Sequence, residues 1–255
     1  MKIGFIGLGR MGAPMARRIR EAGYDLLVYD INSAQMLIMQ KAGALPAKSA
    51  SLLATHTKCI ILMLPDSQSV QAVVEGEQGL LATLQPGSTI IDMSTSNPLA
   101  TKSLGATVER QGSILIDAPV SGGVGKAETG ELTIMVGGDE DTCAGLFPVL
   151  KTMGSSVEHV GPLGSGHTIK VLNNLLSATH LLATVEVLSA GLKMGLDPDK
   201  MLKVINKSTG RNLSSEHKLP NFILNRKFDS HFFMFLMCKD IDIDKEIINK
   251  QKGLA

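Results

Sequence analysis

The sequence predicts a doubly wound α/β domain followed by a mainly helical one. Three observations carry that expectation. Short runs rich in Ile, Val and Leu alternate with helical stretches through the first part of the 255-residue chain. A glycine-rich turn stands directly between the first such run and the first helical stretch. Beyond Gly161–Gly166 no β-rich run of comparable strength recurs.

The expected strands are Lys2–Ile6, Leu26–Tyr29, Lys58–Leu64, Thr89–Met93, Ile114–Asp117, Leu132–Val136 and Val157–Val160. Several are apolar on both faces, the pattern of strands covered by helices in a parallel sheet. The spacers between them are long enough for crossover helices, the first over Ala13–Glu21. The segment Gly-Pro-Leu-Gly-Ser-Gly at 161–166 then punctuates the chain, so the first domain is drawn over 1–162 and the second over 163–255. One long helix is expected from Thr168 to about Met194, apolar on most faces and so buried in a larger body or against a partner subunit. Gly195 is its stop, and a further helix runs from about Asp197 to Asn206 with Pro198 in its first turn.

Composition narrows the function. The chain is 44% hydrophobic and 19% charged, with formal net charge +1 and no Trp. That balance argues against a nucleic-acid binder and against a polybasic membrane surface. Cys59, Cys143 and Cys238 are odd in number and far apart, and no CxxC pair or HExxH spacing exists, so neither a disulfide framework nor a metal site is expected. Cys59 reads as packing. Met1–Leu8 fails as a signal peptide because Gly4, Gly7 and Arg10 interrupt it. No stretch is read as long and apolar enough to span a bilayer. A cytoplasmic protein without a nucleic-acid or membrane partner is the expectation.

Residues Gly7-Leu8-Gly9-Arg10-Met11-Gly12 form G-x-G-x-x-G between the first strand and the first helix. In that context the motif implies dinucleotide binding. Gly7 permits the tight turn, Gly9 lets backbone approach a pyrophosphate, and Gly12 lets helix and strand pack closely. The phosphates then meet free N–H groups at a helix N-terminus, with Arg10 adding charge. Asp30, at the end of the second strand, can accept hydrogen bonds from ribose hydroxyls and would repel a 2′-phosphate, which favours NAD over NADP. The alternative for Asp30 is a local turn with Asn32.

In open α/β sheets ligands bind beyond the carboxyl ends of the strands. Three such ends carry polar or special residues: Pro65-Asp66, Ser94-Thr95-Ser96 and Ala118-Pro119-Val120-Ser121-Gly122-Gly123. Ser121 with Gly122 and Gly123 can offer a hydroxyl and backbone N–H groups to a carboxylate; no nucleophile elbow surrounds the serine. On the long helix, Lys170 and Asn174 are four residues apart and share a face. A dehydrogenase needs a group that exchanges a proton with the substrate oxygen, and a lysine in a desolvated cleft suits that task. A solvated lysine on a helix flank is the alternative for such a pair alone.

Taken together these segments resemble the β-hydroxyacid dehydrogenase family, which includes 3-hydroxyisobutyrate dehydrogenases and tartronate-, glyoxylate- and succinic-semialdehyde reductases. GLGRMGAPMA (7–16), DMSTSNP (92–98), DAPVSGGVG (117–125), GSGHTIKVLNN (164–174) and Lys239-Asp240 resemble its motifs in order. The resemblance implies a Rossmann-type first domain and hydride transfer between NAD(P) and a small β-hydroxy acid or its semialdehyde. It implies Lys170 as general acid/base and Asn174 beside the reacting oxygen, with Ser121, Gly122, Gly123 and Phe232 on the substrate. Gly7–Gly12, Asp30, Pro65, Thr95, Lys239 and Asp240 fall to the cofactor side. Asn173-Asn174, where 6-phosphogluconate dehydrogenases carry His-Asn, and STGRNLSS (208–215) resemble the 3-hydroxyisobutyrate type. His231-Phe232 replaces the family's Gly-Phe step, and with Ala255 soon after Lys239-Asp240 the all-α second domain is read as shortened. Two other readings stay open at this point: a non-catalytic dinucleotide-binding protein, and a 6-phosphogluconate dehydrogenase-like enzyme. The expected partners are a small carboxylate substrate and further copies of the chain, as a dimer or tetramer.

Overall fold

β1 (Lys2–Ile6), β4 (Cys59–Leu62), β5 (Thr89–Asp92) and β6 (Ile114–Asp117) lie side by side and parallel at the centre of a nine-stranded sheet. β2 (Asp25–Tyr29) and β3 (Leu45–Pro46) extend it on the far side of β1. The computed structural model describes residues 1–229 and 234–252. Neighbouring residues on a strand face opposite ways, and in the central strands both directions are buried. Ile61, Ile91 and Ile116 enter one apolar cluster with Met15, Ala16 and Ile19 of α1 (Gly12–Glu21). Ile60, Ile90 and Leu115 enter a second one. There they meet Val70 and Val74 of α4 (Ser67–Glu75) and Leu104 and Val108 of α5 (Pro98–Arg110). Helices thus cover both faces, as the doubly apolar strands require.

The far edge departs from the all-parallel expectation. β8 (Leu132–Gly137) runs antiparallel to β6 and to the two-residue β7 (Val120–Ser121). Only Gly122–Glu131, holding the single turn-rich helix α6 (Gly123–Thr129), joins β7 to β8, which is too short for a parallel crossover of about a dozen or more residues. The longer return through α7 (Glu140–Leu150) makes β9 (Gly154–Gly161) parallel to β8. β3 and β7 were not visible as runs because two residues carry no periodicity.

The chain divides into two units, Met1–Lys170 and a second beginning at Val171, with the break inside helix α8 (Ser165–Lys193). Among the described residues no strand follows Gly161. The second unit holds the rest of α8, α9 (Pro198–Ile205), a π-helical segment Ser214–Ile223 and α10 (Met234–Lys252). Gly195, at φ 84°, ends the α8 region, and Asp197 caps α9 through Lys200 N at 2.9 Å with Pro198 in the first turn. A small apolar core joins Leu188, Leu202 and Leu219.

One expectation about α8 is corrected. At 29 residues it is long and apolar enough, by length and composition, to cross a membrane, against the sequence reading that no stretch was. Leu172, Leu176, Leu182 and Val187 are exposed on the single chain, the arrangement that the partner-subunit alternative requires. The apolar residues that fill every face of this helix outnumber the neighbours available to cover them.

Candidate active site

The loop after β1 is shaped around missing side chains. Gly7 has φ 95°, and a Cβ there would strike the Met63 carbonyl of the neighbouring loop. A Cβ on Gly12 would strike the Gly7 carbonyl and stand 3.2 Å from the Phe5 ring. Gly9 is different: nothing lies within 4 Å of its absent Cβ, so its exposed face is open. Its carbonyl accepts from Ala13 N at 3.0 Å, opening α1, whose start has no capping side chain and no acidic residue in its first turn. Uncapped N–H groups beside an unobstructed backbone fit a pyrophosphate. Leu8 is fully buried, Met11 is half-buried and Arg10 is exposed.

Asp30 serves the loop directly. Its Oδ2 accepts from Leu8 N at 2.5 Å and its Oδ1 from Asn32 N at 2.7 Å. The turn with Asn32 therefore forms, and the carboxylate also pins the glycine loop. Each oxygen keeps a further lone pair for a ribose hydroxyl.

Because β1, β4, β5 and β6 are parallel, their following loops gather along one edge. The strand order reverses between β1 and β4, the place where such sheets bind ligands. Pro65 is exposed after β4, and Thr95 is half-buried after β5. Ser94 accepts from Leu64 N at 2.9 Å, tying the β5 loop to the β4 loop. The buried Asp92 accepts from Ser94 N at 2.9 Å and from Ser96 Oγ at 2.8 Å, which shapes the turn around Thr95. Ser121 sits on β7 opposite Thr133, half-buried, followed by Gly122 and Gly123 at φ 140° and 75°. Both glycines are exposed, so their backbone is open to a ligand.

Asp117, the last residue of β6, is fully buried and grips the start of α8. Oδ1 accepts from Gly164 N at 2.7 Å and Oδ2 from His167 N at 2.6 Å. Burial pushes the Asp117 carboxyl above its usual range, while His167 and the two N–H bonds pull it down. Gly166 must be glycine here, since a Cβ would strike the Met135 carbonyl. The His167 ring, also fully buried, bridges three elements. Nε2 lies 3.0 Å from the Ser94 carbonyl, which can only accept, and Nδ1 lies 2.8 Å from Thr101 Oγ1. The carboxylates of Asp92 and Asp117 are each 3.7 Å from the ring. Lys170, three residues on and 8% exposed, stands on the turn fixed by this network.

In the second unit, Asn174 donates through Nδ2 to Asp240 Oδ2 at 2.6 Å, and Lys239 pairs with Asp240 Oδ1 at 3.3 Å. Asp244, one turn beyond Asp240, is buried, and neither oxygen has a hydrogen-bond partner among the described residues. Burial and the Asp240 charge push its carboxyl up. Phe232 lies outside the described residues. Burial lifts the Cys59 thiol to about 12 and, with nearby carboxylates, the Cys143 thiol to about 11, which suits packing rather than chemistry. No cluster able to hold a metal occurs among the described residues.

The sequence reading missed the network of Asp92, Thr101, Asp117 and His167. Its signal was present: two adjacent apolar strands, TIID and ILID, each end on an aspartate, and a lone histidine precedes the lysine by three.

Residues 2–161 match the family described as the NAD binding domain of 6-phosphogluconate dehydrogenase. Residues 164–253 match the NAD-binding domain of NADP-dependent 3-hydroxyisobutyrate dehydrogenase. The mitochondrial 3-hydroxyisobutyrate dehydrogenase of Mus musculus is 38% identical over 98% of this chain and 76% of its own length. The 2-(hydroxymethyl)glutarate dehydrogenase of Eubacterium barkeri is 37% identical over 96% of this chain and 82% of its own. A 3-hydroxyisobutyrate dehydrogenase of Mycobacterium tuberculosis, solved with L-serine, superposes with a TM-score of 0.91 at 31% identity, over 98% of this chain and 87% of the other.

Proposed function

The chain belongs to the β-hydroxyacid dehydrogenase family, as an NAD(P)-dependent oxidoreductase acting on the CH–OH group of a small hydroxy acid, and on that premise we propose that Lys170 is its general acid/base. The observation that carries this is the placement of Lys170: an almost fully buried amine on a helical turn that Asp117 and His167 hold from below. A proton donor is useful to a substrate oxygen only if its position is fixed before reaction.

The uncrowded Gly9 backbone, the uncapped start of α1 and the Asp30 carboxylate are the groups that would hold the dinucleotide. When bound, the nicotinamide supplies or accepts the hydride. Ser121 and the backbone of Gly122 and Gly123 receive the substrate carboxylate. Lys170 as the neutral amine removes the hydroxyl proton in oxidation, and as the ammonium it returns the proton in reduction. Asn174, oriented by Asp240, donates to the same oxygen, and Lys239 holds Asp240 in place. Asp30 favours NAD, since a 2′-phosphate would meet its negative charge. The substrate we propose is of the 3-hydroxyisobutyrate kind, a hydroxymethyl carbon next to a carboxylated carbon.

The test is nicotinamide absorbance at 340 nm with 3-hydroxyisobutyrate and L-serine in oxidation, and with methylmalonate, tartronate and succinic semialdehydes in reduction, each with NAD(H) and NADP(H). Turnover of a hydroxymethyl acid with NAD supports the proposal. Tight NADH binding with no turnover across the panel would sink it. We also propose self-association through the exposed apolar residues of α8, Leu172, Leu176, Leu182 and Val187. Light scattering after size exclusion tests this, and a monomer at micromolar concentration would refute it.

A further inference from the structure

We propose that Asp244 is a positioning residue for the reaction: its carboxyl keeps a proton and donates it in a hydrogen bond to Asp240 Oδ1, which fixes the carboxylate that orients Asn174. Asp240 and Asp244 stand four residues apart on α10 and share a helix face, with Cβ atoms ~5–6 Å apart. Both are buried, Asp240 3% and Asp244 1% exposed. Asp240 Oδ2 is occupied, accepting from Asn174 Nδ2 at 2.6 Å. The other oxygens of the pair are not: Asp240 Oδ1 and both oxygens of Asp244 lie buried with no hydrogen-bond donor among the described residues. The role in the reaction rests on Asn174 being the donor to the reacting oxygen.

Two ionised carboxylates can only accept, so neither can satisfy the other. One proton changes that. A protonated Asp244 has one O–H donor, Asp240 Oδ1 is the buried acceptor one turn away, and a bond between them is charge-assisted. It gives Asp240 Oδ1 a donor and leaves only a neutral carbonyl oxygen of Asp244 unpaired, a far smaller penalty than a buried charge. The electrostatics agree. Lys239 Nζ lies 3.3 Å from Asp240 Oδ1, outside hydrogen-bond geometry, and offsets one negative charge. No cation pairs with Asp244 among the described residues. From α8, the group that meets the pair is the neutral Asn174 amide. An ionised Asp244 would stay buried and uncompensated, the condition under which an acid keeps its proton, and burial and the Asp240 charge both push its carboxyl up. The consequence reaches Asn174. Held at Oδ1 by Asp244 and at Oδ2 by Asn174, the Asp240 carboxylate has one orientation. Asn174 is then committed through one N–H and keeps the other for the substrate oxygen.

The experiment uses the full chain as wild type, as Asp244→Asn, which keeps a donor, and as Asp244→Leu, which has none. The infrared difference spectrum of wild type minus Asp244→Asn, at about pH 7, should contain the carbonyl band of a protonated carboxyl. Its absence would overturn the proposal. Nicotinamide absorbance should give Asp244→Asn a kcat within about two-fold of wild type and Asp244→Leu a kcat lower roughly ten-fold, the scale of one hydrogen bond to a charged group, with KM for NAD unchanged. Urea unfolding should find Asp244→Leu no less stable than wild type. A merely structural Asp244 would lose stability and keep kcat in the folded protein, and that result would reject the positioning role. The Asn174 side-chain amide, followed by heteronuclear NMR and identified by its loss in Asn174→Ser, reads the same contact without turnover. Its shift should be kept in Asp244→Asn and move toward that of a solvated amide in Asp244→Leu; an unchanged shift in Asp244→Leu would reject the proposal. A protonated Asp244 and a held Asn174 amide in an enzyme that turns over none of the panel would uphold the pair and reject the dehydrogenase reading.

Discussion

Replacing Asp117 should damage both the fold and the reaction, in an order set by its two bonds. Its carboxylate satisfies two buried backbone N–H groups at the start of α8, those of Gly164 and His167. Hydrogen bonds to a charged acceptor contribute about 1.5–3 kcal/mol each. Recovered desolvation of the carboxylate offsets part of this, so Asp117→Ala should cost about 3–5 kcal/mol, the range seen when one partner of a buried charged contact is removed. Asp117→Asn keeps one acceptor but turns an NH2 group toward an N–H donor, and should cost about 2 kcal/mol. In a chain of this length the alanine variant's thermal midpoint should fall by about 10 °C. Activity should fall further than the folded fraction accounts for, because Lys170 stands on the turn that loosens. Urea unfolding by circular dichroism, with kcat measured well below the midpoint, separates the two effects. An Asp117→Ala loss below about 1 kcal/mol, or kcat unchanged in the folded variant, would refute the assignment of Asp117 as the clamp on this helix.

Other outcomes follow from the same geometry. Gly9→Ala meets nothing within 4 Å, so its unfolding midpoint should stay within about 0.5 kcal/mol of wild type while NADH affinity, read by fluorescence titration, drops about ten-fold or more. Gly12→Ala drives a methyl into the Gly7 carbonyl and should lose stability and NADH binding together; normal binding would contradict the close packing. Asp30→Ser should shift the kcat/KM ratio toward NADP and also lower stability by about 1 kcal/mol, since two backbone N–H groups lose their acceptor. Asp244 has its carboxyl pushed up in the fold, so its ionisation becomes a cost as pH rises through the ordinary carboxylate range and beyond. Asp244→Asn should therefore stabilise at pH 7–8, with the gain vanishing only below about pH 3, where the acid is protonated folded or unfolded. A gain as large at about pH 3 as at pH 7 would contradict this.

What was legible in the sequence was local and periodic. β1, the β6 strand and the glycine loop fall where the sequence placed them because their signals lie in neighbouring residues. The antiparallel turn of β8 depended on a connection length whose meaning appears only once β7 is known to pair with it. The His167 network was hidden because its members lie far apart in the chain, with Ser94 73 residues from His167, and only the sheet brings Ser94, Thr101 and Asp117 onto one imidazole.

The central claim is that Lys170 moves the proton while the cofactor moves the hydride. Its most direct test is Lys170→Ala, assayed at 340 nm with the best acid of the panel, alongside NADH binding by fluorescence. The account predicts NADH affinity close to wild type and kcat lower by about 10²–10⁴-fold. Near-normal kcat in this variant would contradict it.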